Sequence, residues 1–146
     1  MHIRNARVDD AEVLARLLAQ LDYAATAFIE EKIAALGRHP DAALLVAEQD
    51  AKVCGFIALH FIPQIALPGD FCRVSYFCVD RQHTSLSTGK LLLEHAERLA
   101  SERGCDRMEV HCHSRRLRAH QFYARQGYQE SPKYFMKMLA PATDAR

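Results

Sequence analysis

The chain has 146 residues, which is room for one ordinary domain of roughly 100–200 residues. Hydrophobic residues make up 49% and charged residues 25%, which excludes a disordered chain. Nineteen Lys and Arg stand against eighteen Asp and Glu, for a net charge of +1, so no global field draws the chain toward nucleic acid or an anionic membrane.

The longest apolar runs, such as residues 53–59, fall far short of the roughly 20 residues that a membrane span needs. The first residues, Met-His-Ile-Arg-Asn-Ala-Arg, do not read as a signal peptide. The expectation is one cytoplasmic domain spanning 1–146, with its core over about 3–139 and a frayed tail over 140–146. The five cysteines (Cys54, Cys72, Cys78, Cys105 and Cys112) form no C-x-x-C pair and are odd in number. They read as buried thiols and not as a disulfide framework.

Residues 2–6 read as a first strand. Asp9 is placed as a helix cap with Glu12 three positions on, ahead of Val13, Leu14, Leu17, Leu18 and Leu21 at helical spacing. A second helix is expected over about 25–36, stopping at Gly37 before Pro40. Residues 42–48 and 53–62 read as two strands joined by a short polar hairpin. Residues 71–79 read as a nearly continuous apolar strand, central in its sheet.

A polar loop follows over 80–88, then a long helix over about 89–103 stopped by Gly104. The remaining elements are a strand over 107–113, a helix over 116–126 ended by Gly127, and a last strand over 134–139. The order β-α-α-β-β-β-α-β-α-β points to an α/β (α+β) layer fold on a single sheet, with no repeat and no linker.

Chemistry concentrates in the strand–loop–helix from Ser75 to Leu93. A small-residue loop feeding a helix start exposes backbone N–H groups that suit phosphate oxygens, although a plain βα connection looks the same. Glu109, His111 and His113 alternate and so share one strand face, and any of them could relay a proton from an ammonium group if that face looks into a cleft. The histidines read as a hydrogen-bonded pair, as proton relays, or as two metal ligands; no spacing supplies a third and fourth ligand, so no metal is expected. The run Arg115-Arg116-Leu117-Arg118 reads as a solvated face or as an anion-holding group, and is too short for a nucleic-acid stripe.

Taken with that element order, the loop and the run Ala119-His-Gln-Phe122-Tyr123-Ala-Arg-Gln-Gly127-Tyr128 resemble the GNAT N-acetyltransferase family, from residue 3 to about 139. The family's Ala-x-x-Phe-Tyr-x-x-x-Gly-Tyr/Phe pattern is intact here. Its Arg/Gln-x-x-Gly-x-Gly/Ala loop pattern falls on Thr84-Ser85-Leu86-Ser87-Thr88-Gly89, where Gly89 alone matches. Thr84 stands where the family has Arg or Gln, so the positive side chain is lost, and Ser87 lacks glycine's dihedral freedom. A common Asn falls on Arg116, and a fourth-strand acid that helps take the amine proton falls on Ser75.

The resemblance implies a single mixed, mostly antiparallel sheet flanked by helices and splayed between its fourth and fifth strands. It implies acetyl-CoA as cosubstrate, held by Phe77, Cys78 and Val79 of the strand, by Thr84, Ser85, Leu86, Ser87, Thr88, Gly89 and Lys90 of the loop and helix start, and by Arg116. It places Tyr123 as the general acid that protonates the leaving thiolate, a role that aromatic packing beside Phe122 rivals. His111 and His113 are the candidates for the proton relay, because imidazole works near neutrality.

Acetyl transfer to a primary amine in a ternary complex is the expected activity. A coenzyme A-binding regulatory module without transfer is the alternative, and a domain that binds no coenzyme A is the third. The acceptor's pocket would be shaped by residues of about 22–33 and 60–71, which carry no motif. No nucleic acid and no membrane partner are expected. Because dimers are common in the family, a homodimer stands beside the monomer as a state to test.

Overall fold

Five strands form as β1 (His2–Asn5), β2 (Ala42–Gln49), β3 (Lys52–Ile62), β4 (Asp70–Val79) and β5 (Cys105–Val110), and they lie in that same order across one sheet. Helices α1 (Ala11–Ala19), α2 (Ile29–Arg38), α3 (Thr88–Glu102) and α4 (Leu117–Arg125) complete the elements. The computed structural model describes residues 1–111, 117–131 and 135–139, with Thr84, Ser85 and Leu86 described by backbone alone. The chain divides into two units, residues 1–111 and 112–146, and the sheet belongs to the first.

The first four strands pair antiparallel, and β5 pairs parallel to β4 after the α3 crossover. The β2–β3 hairpin closes through Asp50 and Ala51 at φ 52° and 64°. Two left-handed residues match the twist of the flanking strands, which is why so short a turn suffices.

Strand alternation divides the core. Leu44 and Val46 of β2 and Phe56 and Ala58 of β3 pack with Leu14 and Leu17 of α1 and Ile29 and Ile33 of α2. The residues between them, Leu45, Ala47, Ile57 and Leu59, are buried on the opposite face. There α3 contributes the buried Leu92, Leu93, Ala96 and Ala100. Gly55 sets how closely α3 approaches: a Cβ there would lie 3.0 Å from the Cys78 carbonyl oxygen and 3.2 Å from both Leu92 Cδ1 and Thr88 Cγ2. Gly55→Val is therefore expected to destabilise the fold by about 1–3 kcal/mol, read as a lower denaturation midpoint.

Several boundaries differ from the sequence expectation. Val8–Asp10 is a 3-10 turn, so Asp9 is not the cap of α1. Asp10 stands at the N-cap position of α1 but makes no side-chain cap bond to it; its carboxylate turns back to accept from the Arg7 backbone N–H at 2.7 Å and from both terminal nitrogens of Arg4 at 2.9 Å. Residues 25–28 form a turn, and α2 begins only at Ile29. It then runs through Gly37 to Arg38. The helix ends because His39 precedes Pro40 and is held extended at ψ 123°.

Strand β5 starts at Cys105 and ends at Val110, short of the expected 113. The expected last strand does not form over 135–139, and Tyr134 lies outside the described residues. Phe135, Met136, Met138 and Leu139 are 73–97% exposed. Apolar alternation lets a chain extend, but a strand exists only where a neighbour accepts its ladder. Cys54, Cys72 and Cys78 are buried free thiols, and burial pushes the Cys72 thiol up to about 12. Cys105 is half-buried and free as well, and Cys112 lies outside the described residues.

Candidate active site

The β4–β5 ladder is short. It pairs Asp70 with Cys105 and ends at Val74 with Val110, among the described residues. Strand β4 continues for five more residues, Ser75 to Val79, of which Tyr76 to Val79 pair on the other side to β3. Beyond the Val74–Val110 pair no described residue ladders with the β5-side edge of Ser75–Val79, the open edge of β4. Phe77, Cys78 and Val79, the strand residues expected to meet the coenzyme, lie along this stretch opposite Ile57, Phe56 and Gly55.

The opening starts at a bulge. Tyr76 pairs with Ala58 and Val74 with Leu59, so Ser75 is the extra residue on β4. Ser75 is exposed, and its Oγ lies 2.7 Å from Nε2 of His60 on β3. Beside it, Tyr76 meets Tyr23 from the α1–α2 connection edge-on, with ring centroids 5.4 Å apart. Both rings are more than two-fifths exposed, and burial followed by the Tyr23 contact raises the Tyr76 phenol.

At the far end of the open edge the chain turns into residues 81–86, a 3-10 turn, and then into α3. The buried Asp80 organises this turn. Its backbone N–H donates to the Cys54 carbonyl at 2.8 Å, and its carboxylate accepts from the Gln82 N–H at 3.1 Å and from Arg16 at 3.0 Å. Gln20 ties in from the end of α1, taking the Arg81 N–H at 3.2 Å on Oε1. Burial pushes the Asp80 carboxyl up, but these donors outweigh it and hold it below its ordinary value.

Arg4 holds Asp10 low in the same way, against the opposing effect of burial. Carboxylates depressed in the folded state contribute stability above their unfolded values of roughly 4, and that stability is lost as pH falls through the folded ones. The midpoint of thermal unfolding should thus hold from neutrality to about pH 5 and drop below about pH 4. The fall should be smaller in Asp80→Asn, whose side chain does not titrate.

Ser87 closes the turn at φ 59° and ψ 21°, in the left-handed region. That is the loop position where the resemblance puts a glycine. Thr84, Ser85 and Leu86 lie in the 3-10 turn, Thr88 is fully buried at the helix start, and Gly89 and Lys90 follow in the first turn of α3. The first N–H groups of a helix have no acceptor within it, so this turn presents donors beside the open β4 edge.

Other candidates fall elsewhere. Glu109 is committed to Arg73 at 3.1 Å and Arg107 at 2.9 Å; burial raises its carboxyl, but the two guanidinium groups bring it below the ordinary value. It is thus no proton acceptor near neutrality. His111 is exposed just past β5, while His113 and Arg116 lie outside the described residues. Tyr123 sits on α4 in the second unit, between Phe122 and Tyr128. Among the described residues no group of three or more His, Cys, Asp or Glu could hold a metal. Nor is any described helix long and apolar enough to cross a membrane.

Residues 8–128 match the sequence profile of the acetyltransferase (GNAT) family. The chain belongs to that family. Among solved structures it is similar to a Bacillus halodurans C-125 transcriptional regulator, at TM-score 0.86 and 18% identity over 94% of this chain and 99% of that one. It is also similar to a ribosomal-protein-alanine N-acetyltransferase from Brucella melitensis biovar Abortus 2308, at TM-score 0.78 and 18% identity, covering 95% and 100% of the two chains. An aminoglycoside acetyltransferase from an uncultured soil metagenomic sample, in complex with sisomicin, matches at TM-score 0.77 and 16% identity, covering 95% and 96%. No curated protein sequence matches significantly.

These likenesses establish the GNAT fold: a mixed five-stranded sheet with helices, built here as β1 to β5. Three residues near the end of the described β4–β5 pairing escape sequence reading. His60 sits in an apolar strand and meets Ser75 only through the register of two strands and a bulge. Tyr23 and Tyr76 are 53 positions apart and meet only in the fold. Asp80 carried a readable sign, an acid directly after a strand and before a Ser/Thr-rich loop.

Proposed function

We propose that this GNAT protein transfers the acetyl group of acetyl-CoA to a primary amine of a small molecule or peptide, by direct attack in a ternary complex. The observation that carries the reading is the end of the described β4–β5 pairing at Val74 and Val110, with β4 running on through Phe77–Val79 toward the left-handed turn at Ser87 and the start of α3. Backbone groups of Phe77, Cys78 and Val79 would hold the pantetheine amides. The N–H groups from Thr84 to Lys90 would hold the pyrophosphate, with Arg116 supplying positive charge.

The amine attacks the thioester carbonyl, the C–N bond forms and the C–S bond breaks. Placing the two reactants together accounts for most of the rate, and a backbone N–H at the open edge polarises the carbonyl. Tyr123, a phenol protonated at neutral pH, donates its proton to the departing thiolate. The amine, with pKa about 10.4 if it is a lysine, gives up its proton to a histidine; the sequence offers His111 and His113 and the fold adds His60.

Neighbours named for a ribosomal-protein alanine and for an aminoglycoside support an amine acceptor and span peptide and small molecule. The exposed Tyr23–Tyr76 pair beside Ser75 gives that acceptor an aromatic wall, which favours a cationic amine. A second reading, coenzyme binding without transfer, is favoured by one observation: the fourth-strand position where the family carries an acid is Ser75 in this chain. Free-thiol release from acetyl-CoA with a panel of primary amines separates the two. Amine-dependent release supports transfer, and tight acetyl-CoA binding with no release from any amine selects the binding module.

A further inference from the structure

We propose that Ser75 and His60 form the proton relay of acetyl transfer: the Ser75 hydroxyl takes the proton of the attacking amine while passing its own to Nε2 of His60. The inference rests on the acetyltransferase reading above and names the group that reading leaves open.

The geometry is specific. Ser75 is the bulge residue of β4, and a bulge re-aims its side chain away from the regular alternation. It stands one residue past the last β4–β5 pair, at the mouth of the open edge, and is exposed. Its Oγ lies 2.7 Å from His60 Nε2 and 3.5 Å from the Ala58 carbonyl, so the imidazole is the nearer acceptor for the hydroxyl proton. The lone pairs of Oγ are then free to accept from an amine.

The surroundings keep His60 neutral. Burial lowers its pKa first, and the positive charges of His39 and Arg73 lower it further. His39 follows α2 and Arg73 lies opposite His60 on β4. The acids on the neighbouring elements are engaged elsewhere: Glu109 of β5 with Arg73 and Arg107, and Asp41 before β2 with Arg103 at 2.8 Å. No carboxylate charges the ring by direct pairing among the described residues. A neutral imidazole near pH 7 accepts a proton; an imidazolium does not.

The step balances. As the C–N bond forms, the amine nitrogen becomes acidic and its proton moves to Oγ, while the Oγ proton moves to Nε2. The products are the amide, the thiol protonated by Tyr123, and an imidazolium whose proton returns through water to the Tyr123 phenolate, so both residues end as they began. Ser75 is the residue that meets the amine, and His60 acts through it.

The test is the pH profile of kcat with an acceptor amine, together with an NMR titration of the His60 ring in the native protein. The native enzyme should show an acid limb below about 6.5, matched by the titration of His60. His60→Gln, which keeps a hydrogen bond to Ser75, should lower kcat by roughly 10²-fold and remove the limb while acetyl-CoA affinity stays unchanged. Ser75→Ala should do the same with the His60 ring still titrating. Retention of the limb and the rate in His60→Gln overturns the proposal, as does loss of the limb in His111→Gln alone. A His60 ring that stays charged up to neutrality in the native protein overturns it without any variant. Absence of thiol release from the native protein with every amine overturns the acetyltransferase reading itself, and the relay with it.

Discussion

Tyr123→Phe is expected to lower turnover by roughly 10²-fold and to leave acetyl-CoA affinity nearly unchanged. The ring is held from two sides, edge-on by Phe122 at 5.4 Å and tilted against Tyr128 at 5.8 Å. The Tyr128 N–H also donates to the Tyr123 carbonyl at 3.0 Å, beyond the left-handed Gly127 at φ 88° that ends the helical turn. Phenylalanine keeps every one of those contacts and removes the hydroxyl alone. A large loss in kcat with an unchanged thermal midpoint therefore reports proton donation to the thiolate. Unchanged turnover at saturating substrate would return Tyr123 to aromatic packing.

The second large effect is expected at the phosphate turn. Ser87 stands at φ 59°, a conformation that costs an L-residue roughly 1–2 kcal/mol and glycine almost nothing. Ser87→Gly should thus stabilise the turn, and Thr84→Arg should add a charge-assisted hydrogen bond to the pyrophosphate. Such bonds are worth roughly 1.5–3 kcal/mol, about 10- to 150-fold in affinity. The double variant should bind acetyl-CoA more tightly by a factor in that range, and by more at low salt than at high salt. Calorimetry at two ionic strengths reads both. Equal affinity of the native and double-substituted proteins at both salts would mean that other groups, such as Arg115 or Arg116, already provide the charge.

Much of the fold is legible in the sequence because it is local. The apolar spacing of Leu14 and Leu17 makes α1 amphipathic, and the β2–β3 hairpin and the Gly104 stop follow from residues adjacent in the chain. What escapes is what depends on partners. The 134–139 run has strand composition, yet residues 135–139 find no ladder. Gly37 looks like a helix stop, but the restriction that Pro40 places on His39 decides the end one residue later.

The site divides the same way. The turn at 81–87 and the helix start at Thr88 are readable from small polar residues in sequence, and the left-handed Ser87 is implied by the family's glycine at that place. The Ser75–His60 contact needs the β3–β4 register, and that register shifts by one residue at the bulge. A reading that assumes regular pairing puts the wrong residue opposite Ser75. Glu109, a proton-relay candidate from alternation alone, is taken by Arg73 across the β4–β5 pairing and by Arg107 two residues back on its own strand.

The central claim is that acetyl-CoA binds along the open edge of β4 and over the turn that leads into α3. Backbone hydrogen exchange with and without acetyl-CoA tests it most directly, because the amides concerned are identified by residue. The account predicts slowed exchange for amides within Phe77–Val79 and within the turn from Thr84 to Lys90, with the β1–β2 pairing unaffected. Binding that protects other segments and leaves these amides exchanging as before would contradict it.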